Sequence, residues 1–303
     1  MFVRRLYRRS RTGFATVVMA VAVVVPAAGA RAVSSVLVYS CGRAFENLCQ
    51  VNPDGSGRRQ LTTDGAARFP ARYISPSLSR DGRKLAYLRG YRLFVLDRAT
   101  GKRTGPISNE ALLARISPDG RKVGDLENFV SVNSLAVCVF NSNGTGHKSG
   151  RDCVGSTGSF GFTNNDRVLA SVSAGFSYNY NKGICLLAAD GTGCQSYIAA
   201  DAAHDLWDPA VSPNGKLLAV TRATPTHVQG AIVLYDYATG RLVWQLTNGT
   251  TDSGPVWSPD GSHLAFVRGA MTNSPRIYTI SVHGRAGSER QLMAKGRAVT
   301  WGR

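Results

Sequence analysis

A short motif that recurs along the chain constrains its fold more than any other feature. The clearest copy is residues 254–267, where two apolar runs flank the tetrapeptide Ser-Pro-Asp-Gly. Pro259 fixes φ and Gly261 permits the positive φ of a tight reversal, so the segment predicts a β-hairpin. The related segments are 73–88, 114–126, 161–172 and 209–221. Recurrence indicates a repeated structural unit, whereas a single turn of this type occurs in every fold class.

A second, glycine-containing turn follows an aromatic-rich segment and returns every 43 to 49 residues. Its glycines are Gly55, Gly101, Gly144, Gly191, Gly240 and Gly284. Each unit contains four short apolar segments; in the fifth unit they are residues 210–211, 217–221, 231–236 and 242–246. Four antiparallel strands per roughly 45 residues are typical of a propeller blade. The sequence therefore predicts an all-β, six-bladed β-propeller of four-stranded antiparallel blades.

The two ends of the repeated region indicate how the ring closes. The first unit begins at Val36 without the hairpin motif, and residues 297–303 form a first strand with no unit after it. We expect this C-terminal strand, which carries Trp301, to join the N-terminal blade. Such sharing removes the free sheet edges that would otherwise promote aggregation.

The hairpin motif followed by RIYTISVHGRAGSERQL resembles the WD40-like (PD40) repeat of TolB-type six-bladed propellers. The segments IVLYDYATGRLVWQLT and QVNPDGSGRRQLT match the second half of that repeat. The resemblance covers residues 34–303 and weakens in the fourth unit, where Thr163–Asp166 replaces the tetrapeptide. It implies a scaffold with a central channel, used for protein binding in TolB and as a non-catalytic partner domain in relatives of prolyl oligopeptidase.

Residues 1–32 differ in composition from the repeated region. Five arginines precede an apolar run at 14–25, and PAAGARA follows, which is the pattern of a secretory signal peptide cleaved after Ala30 or Ala32. The alternative is an uncleaved membrane anchor, but a spanning helix needs roughly 20 apolar residues. The paired arginines also allow twin-arginine export. We expect a signal peptide at 1–32, a propeller at 33–303 and a secreted or extracytoplasmic location.

The charge balance favours anionic partners. The formal net charge is +17, and removing residues 1–32 takes away six arginines and no acid, which leaves about +11. Nucleic acid, envelope polyanions and phospholipid surfaces could all match this excess. Export argues against nucleic acid. We expect a monomer whose partner is a protein or an anionic envelope component, with peripheral contact to a membrane surface possible.

The six cysteines all follow the predicted signal peptide, and an even number in an exported chain predicts disulfides. Fifteen pairings are possible in principle. We expect pairs within single units because each would bracket one turn: Cys41 with Cys49, Cys138 with Cys153, and Cys185 with Cys194. The spacings do not match a zinc site, and we expect no metal and no cofactor.

Catalytic signatures such as GxSxG, HExxH and the phosphate-binding loop are absent from the sequence, so no catalytic residue is assigned. The segment ADAAHDLWDP, entering the fifth unit, concentrates reactive side chains, Asp208 among them. We expect four residues of this segment to lie at one channel mouth with Asp252 and to bind a ligand there. They are Asp201, His204, Asp205 and Trp207. His204 beside a carboxylate could act as a general base, which would suit a channel-mouth hydrolase or lyase acting on a saccharide or lactone. The alternative is a hydrogen-bonded loop closed by an aromatic side chain.

Strand order predicts that two kinds of turn share one face of the propeller. Basic side chains follow these turns, among them Arg58, Arg59, Lys102 and Arg103. We expect a positive face there and a more mixed opposite face that carries the Asp201 segment. The alternative is that the cations only keep the turns soluble. The turn aspartates Asp81, Asp119 and Asp260 are expected to accept local backbone hydrogen bonds and not to bind metal.

Overall fold

In a computed structural model of the chain, the described residues are 35–68, 72–129, 134–146, 153–155, 157–173, 182–187, 194–199, 201–225 and 229–303. Within them the chain forms 24 β-strands and no helix, arranged as six four-stranded sheets. In chain order the strands are β1 Val36–Cys41, β2 Asn47–Val51, β3 Arg59–Gln60, β4 Tyr73–Leu78, β5 Lys84–Arg89, β6 Arg92–Asp97, β7 Arg103–Thr104, β8 Ala111–Ile116, β9 Lys122–Phe129, β10 Ser134–Asn141, β11 Cys153–Gly155, β12 Thr157–Phe162, β13 Val168–Ser173, β14 Lys182–Leu187, β15 Cys194–Ile198, β16 Asp205–Val211, β17 Leu217–Ala223, β18 Ala231–Asp236, β19 Leu242–Gln245, β20 Asp252–Trp257, β21 His263–Arg268, β22 Arg276–Ser281, β23 Arg290–Met293 and β24 Arg297–Gly302.

The six sheets are the blades of a closed ring. Blade 1 contains β24, β1, β2 and β3, and blades 2 to 6 follow as consecutive groups of four strands from β4 onwards. The first strand of every blade contacts the first strand of the next, from β4 through β8, β12, β16 and β20 to β24 and back to β4. These six inner strands surround the central channel, so the predicted six-bladed propeller is confirmed.

The C-terminal strand closes the ring, as the sequence predicts. β24 pairs antiparallel with β1, with Trp301 opposite Leu37 and Val299 opposite Tyr39. Trp301 is buried in a core that also contains Val267 and Ile277 of blade 6. The last strand therefore completes blade 1 and packs blade 6 against it.

The repeated tetrapeptide forms the same hydrogen-bonded hairpin in each blade that carries it. In blade 6 the Ser258 hydroxyl donates to Asp260 Oδ1 at 2.6 Å and accepts the His263 N–H at 2.9 Å. Asp260 Oδ1 also accepts the Ser262 N–H at 3.0 Å. Blade 4 keeps the pattern through Thr163 and Asn165, with Asp166 at φ 61° in the position that glycine holds elsewhere. The local role expected for the turn aspartates follows directly from these bonds.

The hydrophobic core consists of layers between neighbouring blades. In β17 Leu218 and Val220 pack toward blade 4, whereas Ala219 packs with Ile232 and Phe266 toward blade 6. Both faces of the middle strands are thus buried, which explains their nearly continuous apolar sequences. Each fully buried leucine or phenylalanine contributes roughly 1.5–3 kcal/mol, so the ring is held by packing between all six blades.

Two disulfides lie within single blades. Cys41 is bonded to Cys49 in blade 1, and Cys138 to Cys153 in blade 3. Closing loops of this size stabilises the fold by about 2.5 to 3 kcal/mol in the loop-entropy model. Cys185 is disulfide-bonded as well. The side chain of Cys194, its predicted partner, lies outside the described residues, so that pairing stays a prediction.

Candidate functional site

The propeller has two faces that differ in their connections. We call the side with the turns between first and second strands and between third and fourth strands the turn face, and the opposite side the loop face. On the turn face, backbone hydrogen bonds join the two kinds of turn within a blade. Arg98 N–H donates to Arg83 O at 2.7 Å, and Val282 N–H donates to Ser262 O at 3.0 Å. These contacts confirm that both kinds of turn emerge on the same side.

The central channel widens into a cavity of about 140 Å³ next to the turn face. Residues from all six inner strands line it: Ser77, Arg115, Gly161, Asp208, Val256 and Thr300. All but Arg115 and Asp208 are small or uncharged. With Arg80, which also lines it, the cavity presents two cations and one carboxylate on an otherwise neutral wall.

Arg115 and Asp208 face the channel without forming an ion pair within 4.0 Å in the described part of the chain. Burial raises the pKa of Asp208, and the Arg115 charge opposes this rise. Asp208 Oδ2 accepts the Gly254 N–H at 3.2 Å and the Thr221 hydroxyl at 3.4 Å. A bulge with φ 52° at Asp208, followed by Pro209, breaks the pairing of β16 with β17. Bulges re-aim side chains, and this one turns Asp208 toward the channel.

A hydrogen bond from Arg80 Nη2 to Asn164 Oδ1 spans the turn-face mouth of this channel, from blade 2 to blade 4. The Arg80 N–H donates to Pro118 O at 3.0 Å, and Arg80 O accepts the Arg303 N–H at 3.1 Å. Asn164 Nδ2 donates to Ser212 O at 3.0 Å. Five blades are thus linked around the mouth, which narrows the entrance to the cavity.

On the loop face, Asp201 and His204 form a hydrogen-bonded pair. His204 Nδ1 lies 2.9 Å from Asp201 Oδ1, and Arg222 Nη2 donates to Asp201 Oδ2 at 3.0 Å. Burial tends to raise the pKa of Asp201, but the bonds from Arg222 and His204 outweigh it and bring that pKa to about 2. The carboxylate therefore stays ionised and orients the imidazole, which leaves Nε2 for other contacts.

A polar cavity of about 480 Å³ lies beside this pair, between blade 5 and its connection to blade 6. His204 and Arg222 line it together with amide and hydroxyl side chains: Gln229, Gln245, Asn248, Thr224, Thr250 and Thr251. The arrangement could hold a ligand rich in hydroxyl groups, with His204 available for proton transfer. No nucleophile lies in a hydrogen bond with His204 in the described part of the chain.

The other predicted mouth residues lie deeper than the sequence suggests. Asp205 and Trp207 do not belong to a connecting loop, because β16 begins at Asp205, and both are buried. The ring of Trp207 packs on Gly158, where an added Cβ would meet it at 2.2 Å. Asp252 is fully buried and binds Arg268 at 2.6 and 2.9 Å. Of the five residues, Asp201 and His204 are the ones that can meet a ligand without rearrangement.

The predicted basic residues lie on the turn face and are exposed, in two neighbouring blades: Arg58, Arg59, Lys102 and Arg103. Arg98 joins them, because Arg98 Nη2 and Arg59 Nη2 both donate to Gln50 Oε1, at 3.1 and 3.4 Å. Burial, and then the charge of Arg59, lowers the pKa of Arg98. We call these five residues the basic strip.

Acidic side chains near the basic strip are occupied by their own turns. Asp97 accepts hydrogen bonds from the N–H groups of Ala99 and Thr100 at 3.0 and 2.9 Å. Asp54 accepts hydrogen bonds from the Ser56 N–H at 2.8 Å and from the Ser56 hydroxyl at 2.7 Å. The cations of the strip form no ion pair within 4.0 Å in the described ranges. The strip is therefore available to an anionic partner.

A buried carboxyl group in blade 3 was not predicted from the sequence. Asp125 is fully buried in β9, accepts a hydrogen bond from the Ser108 hydroxyl, and has no partner for Oδ1. Burial, and to a smaller extent the charge of Glu127, raises its pKa to about 8. Glu127 also lies near Cys138 and Cys153, a grouping with metal-ligand chemistry. Both sulfurs are in a disulfide, however, and a disulfide does not supply the thiolates that bind metals.

Solved structures with similar folds were identified, whereas no protein-family model and no curated protein sequence matches the chain. TolB from Acinetobacter baumannii superposes with a TM-score of 0.68 at 18% identity, covering 88% of this chain and 66% of that one. The structure of putative TolB from Agrobacterium tumefaciens gives 0.59 at 15% identity, covering 88% and 91%. The chain has the TolB-like propeller fold. It spans about two thirds of the Acinetobacter TolB chain.

Other solved structures share the TolB-like propeller fold at lower identity. A chain of the nidogen/laminin complex superposes with a TM-score of 0.60 at 9% identity, covering 88% of this chain and 98% of that one. Oligogalacturonate lyase from Vibrio parahaemolyticus gives 0.52 at 14% identity, covering 82% and 71%. These structures include a protein complex and an enzyme, so the fold alone is compatible with both functions.

Two signals in the sequence could have revealed the charged residues of this TolB-like propeller. Arg115 and Asp208 occupy repeat positions where the other blades carry small or apolar residues, such as Ala210 and Gly254. Asp125 likewise stands where blade 6 has Phe266. A charge at an otherwise apolar repeat position would have identified Arg115 and Asp125 in addition to Asp208.

Two findings bear on the compartment. The disulfides indicate an oxidising environment, because cytosolic thiols are kept reduced. In the ranges that the structure describes, we find no helix with the length and hydrophobicity required to cross a membrane.

Proposed function

We propose that the protein is an exported, non-enzymatic propeller that binds an anionic envelope component or an acidic protein through the basic strip. The observation that carries this proposal is the set of five cations across blades 1 and 2, unpaired on the turn face while neighbouring aspartates are held in their own turns. The net charge of about +11 without residues 1–32 adds long-range attraction to the same partners.

The test is charge reversal of the four exposed residues, in the quadruple variant R58E/R59E/K102E/R103E. We expect the parent to bind vesicles containing phosphatidylglycerol at low salt and to be released as salt rises, because screening shortens electrostatic reach to about 10 Å at 0.1 M. The variant should lose this binding. The control is R43E/R68E/R92E/R276E, which changes the same number of exposed charges on the loop face.

Equal loss of binding in both variants would mean that net charge alone is responsible. If the parent protein binds neither the vesicles nor an anionic envelope polymer, the basic strip serves only to keep the protein soluble.

Export is a separate step of the proposal. Mass measurement of the protein recovered from the producing cells should show a new N-terminus after Ala30 or Ala32, and retention of Met1 in a membrane fraction would indicate an uncleaved anchor instead.

A second candidate function is favoured by the Asp201–His204 pair at the polar cavity. In this alternative the protein is a hydrolase or lyase acting on a saccharide or lactone, with His204 as the base that Asp201 orients. Turnover of such substrates that disappears in His204→Gln, while binding through the basic strip is retained, would establish it.

A further inference from the structure

The loop face carries a group of cations that the basic strip does not include. They surround the connection from β1 to β2, residues 42–46, which we call the clasp. A disulfide between Cys41 and Cys49 joins the two ends of the clasp. Asn47 Oδ1, directly after it, accepts the Thr62 hydroxyl at 3.0 Å and the Gly65 N–H at 3.1 Å.

Three cationic side chains are anchored on the clasp. Arg72 Nη2 donates to Ala44 O at 2.8 Å, and Lys295 Nζ donates to Arg43 O at 3.1 Å. The Arg297 guanidinium lies 4.7 Å from the centre of the Phe45 ring, and Lys295 Nζ lies 5.4 Å from it. Carbonyl oxygens and an aromatic face hold cations in place but do not neutralise them. Three positive charges are thus fixed around one short loop.

The charge of this group is uncompensated. The Nε atoms of Arg72 and Arg297 are buried and have no hydrogen-bond partner, and none of the three cations lies within 4.0 Å of a carboxylate in the described part of the chain. Nearby acids are otherwise engaged. Asp64 binds Arg89 at 2.9 Å, and Glu46 accepts the Ala44 N–H at 2.7 Å.

Two further observations indicate that the three cations and Phe45 form a specific site. Phe45, the aromatic platform, has φ 59°, a left-handed conformation that costs energy in a bulky residue and is often retained at functional sites. Burial, and then the charge of Arg72, lowers the pKa of Arg297, so the two guanidinium groups are close enough to repel. A buried donor without a partner is also destabilising. An anion between the groups would remove both penalties.

We propose that Arg72, Arg297 and Lys295 form an oxyanion-binding site on the loop face, which takes a single carboxylate or phosphate group of a ligand. The two N–H groups on one edge of a guanidinium can donate to two oxygens of the same carboxylate or phosphate. Charge-assisted bonds of this kind are among the strongest hydrogen bonds. The site is independent of the basic strip because it lies on the opposite face. It therefore stands or fails separately from the proposed function.

The experiment follows the guanidinium Nε–H signals of the purified protein by NMR, with acetate and inorganic phosphate as probes and chloride at equal ionic strength as the reference. We expect the Nε–H signals of Arg72 and Arg297 to shift saturably with at least one probe and not with chloride. The probe that binds more tightly identifies the oxyanion class. Melting temperature should rise with the same probe.

The variants Arg72→Gln and Arg297→Gln should each weaken binding about tenfold, the loss expected for one charge-assisted hydrogen bond. Arg276→Gln, an exposed arginine elsewhere on the loop face, is the matched control and should bind like the parent. If a glutamine variant does not fold, Arg297→Lys keeps the charge without the guanidinium and should still bind more weakly. Signals that respond to neither probe, or binding that survives in Arg297→Gln, would overturn the site.

Discussion

The two faces of the propeller are built on different principles. On the turn face, one hairpin is repeated, and its serine and aspartate side chains satisfy the backbone of their own turn, as Ser258 and Asp260 do. On the loop face the connections have no common sequence and depend on partners distant in the chain. Asp252 is held by Arg268 across a strand pair, and Arg72 is held by the clasp of another blade.

The repeated turns of the turn face belong to the scaffold, whereas the loop face carries side-chain groups that occur only once. The serine and aspartate bonds satisfy the backbone of a single turn, so a change at Asp260 affects that turn alone, whereas Arg80 and Asn164 link blades around the mouth. On the loop face, Arg72 joins blade 2 to blade 1, and Asp252 with Arg268 joins two strands of blade 6, so a change there affects packing beyond a single turn. We therefore expect substitutions on the loop face and in the blade cores to cost more than equivalent substitutions in the turns.

The largest effect should come from opening the ring. Deleting residues 298–303 removes most of β24, which pairs with β1 and packs against β4 and β20. The exposed edge of β1 should then drive aggregation, seen as oligomers by light scattering and as loss of the melting transition. Deleting residues 1–32, the predicted signal peptide, is the control. A truncated protein that stays monomeric and melts like the parent would show that β24 is dispensable.

The next effect concerns the buried carboxyl group in the core of blade 3. Asp125 keeps its proton in the folded protein up to about pH 8, whereas an unfolded aspartate loses it near pH 3.9. Between these values the folded state binds more protons than the unfolded state, so stability falls as pH rises, by about 6 kcal/mol in total.

Asp125→Asn removes this titration. In urea unfolding, the stability of the variant relative to the parent should increase steadily from pH 4 to pH 8 and change little below pH 4. Parallel pH profiles for the two proteins would mean that Asp125 is ionised in the folded state.

A smaller loss is expected when the long-range pair of the loop face is broken. Asp252→Ala leaves the largely buried Arg268 without its main partner and should lower the free energy of unfolding by about 3 kcal/mol. The double variant D252A/R268A should lose less than the sum of the single variants in urea unfolding, because both members of the pair are removed. Additive losses would show that the pair does not act as a unit.

The smallest effect should be on the turn face. Asp260→Ala removes a carboxylate that binds only its own turn and should cost about 1 kcal/mol in urea unfolding. Asp260→Asn should be nearly neutral, because Asn214 makes the same bonds in blade 5. A cost for Asp260→Ala as large as that for Asp252→Ala would remove the distinction between the faces.

The sequence predicts strands best where pairing is regular. The third strand of blade 5 is expected at 231–236 and is observed at Ala231–Asp236. The first strand is expected at 210–211 but begins at Asp205. The bulge at Asp208 interrupts the apolar pattern, and the chain resumes pairing on its other side, where Asp205 lies opposite Ala223. Periodicity cannot follow a strand through such a break.

The candidate sites show the same limit. The concentration of reactive residues near blade 5 identifies Asp201 and His204 in the sequence. It does not indicate that Arg222, at the end of β17, also binds Asp201. The clasp cations come from two segments far apart in the chain, so no local pattern connects Arg72 with Lys295 and Arg297.

The sequence by itself determined the repeat, the number of blades, the closure of the ring and the local structure of the turns, because each depends on contacts within one unit or on the order of units. The tertiary structure alone decided which charges are buried, paired or left without a partner. Those properties depend on side chains that the ring brings together from different blades, and a linear pattern contains no information about their distance.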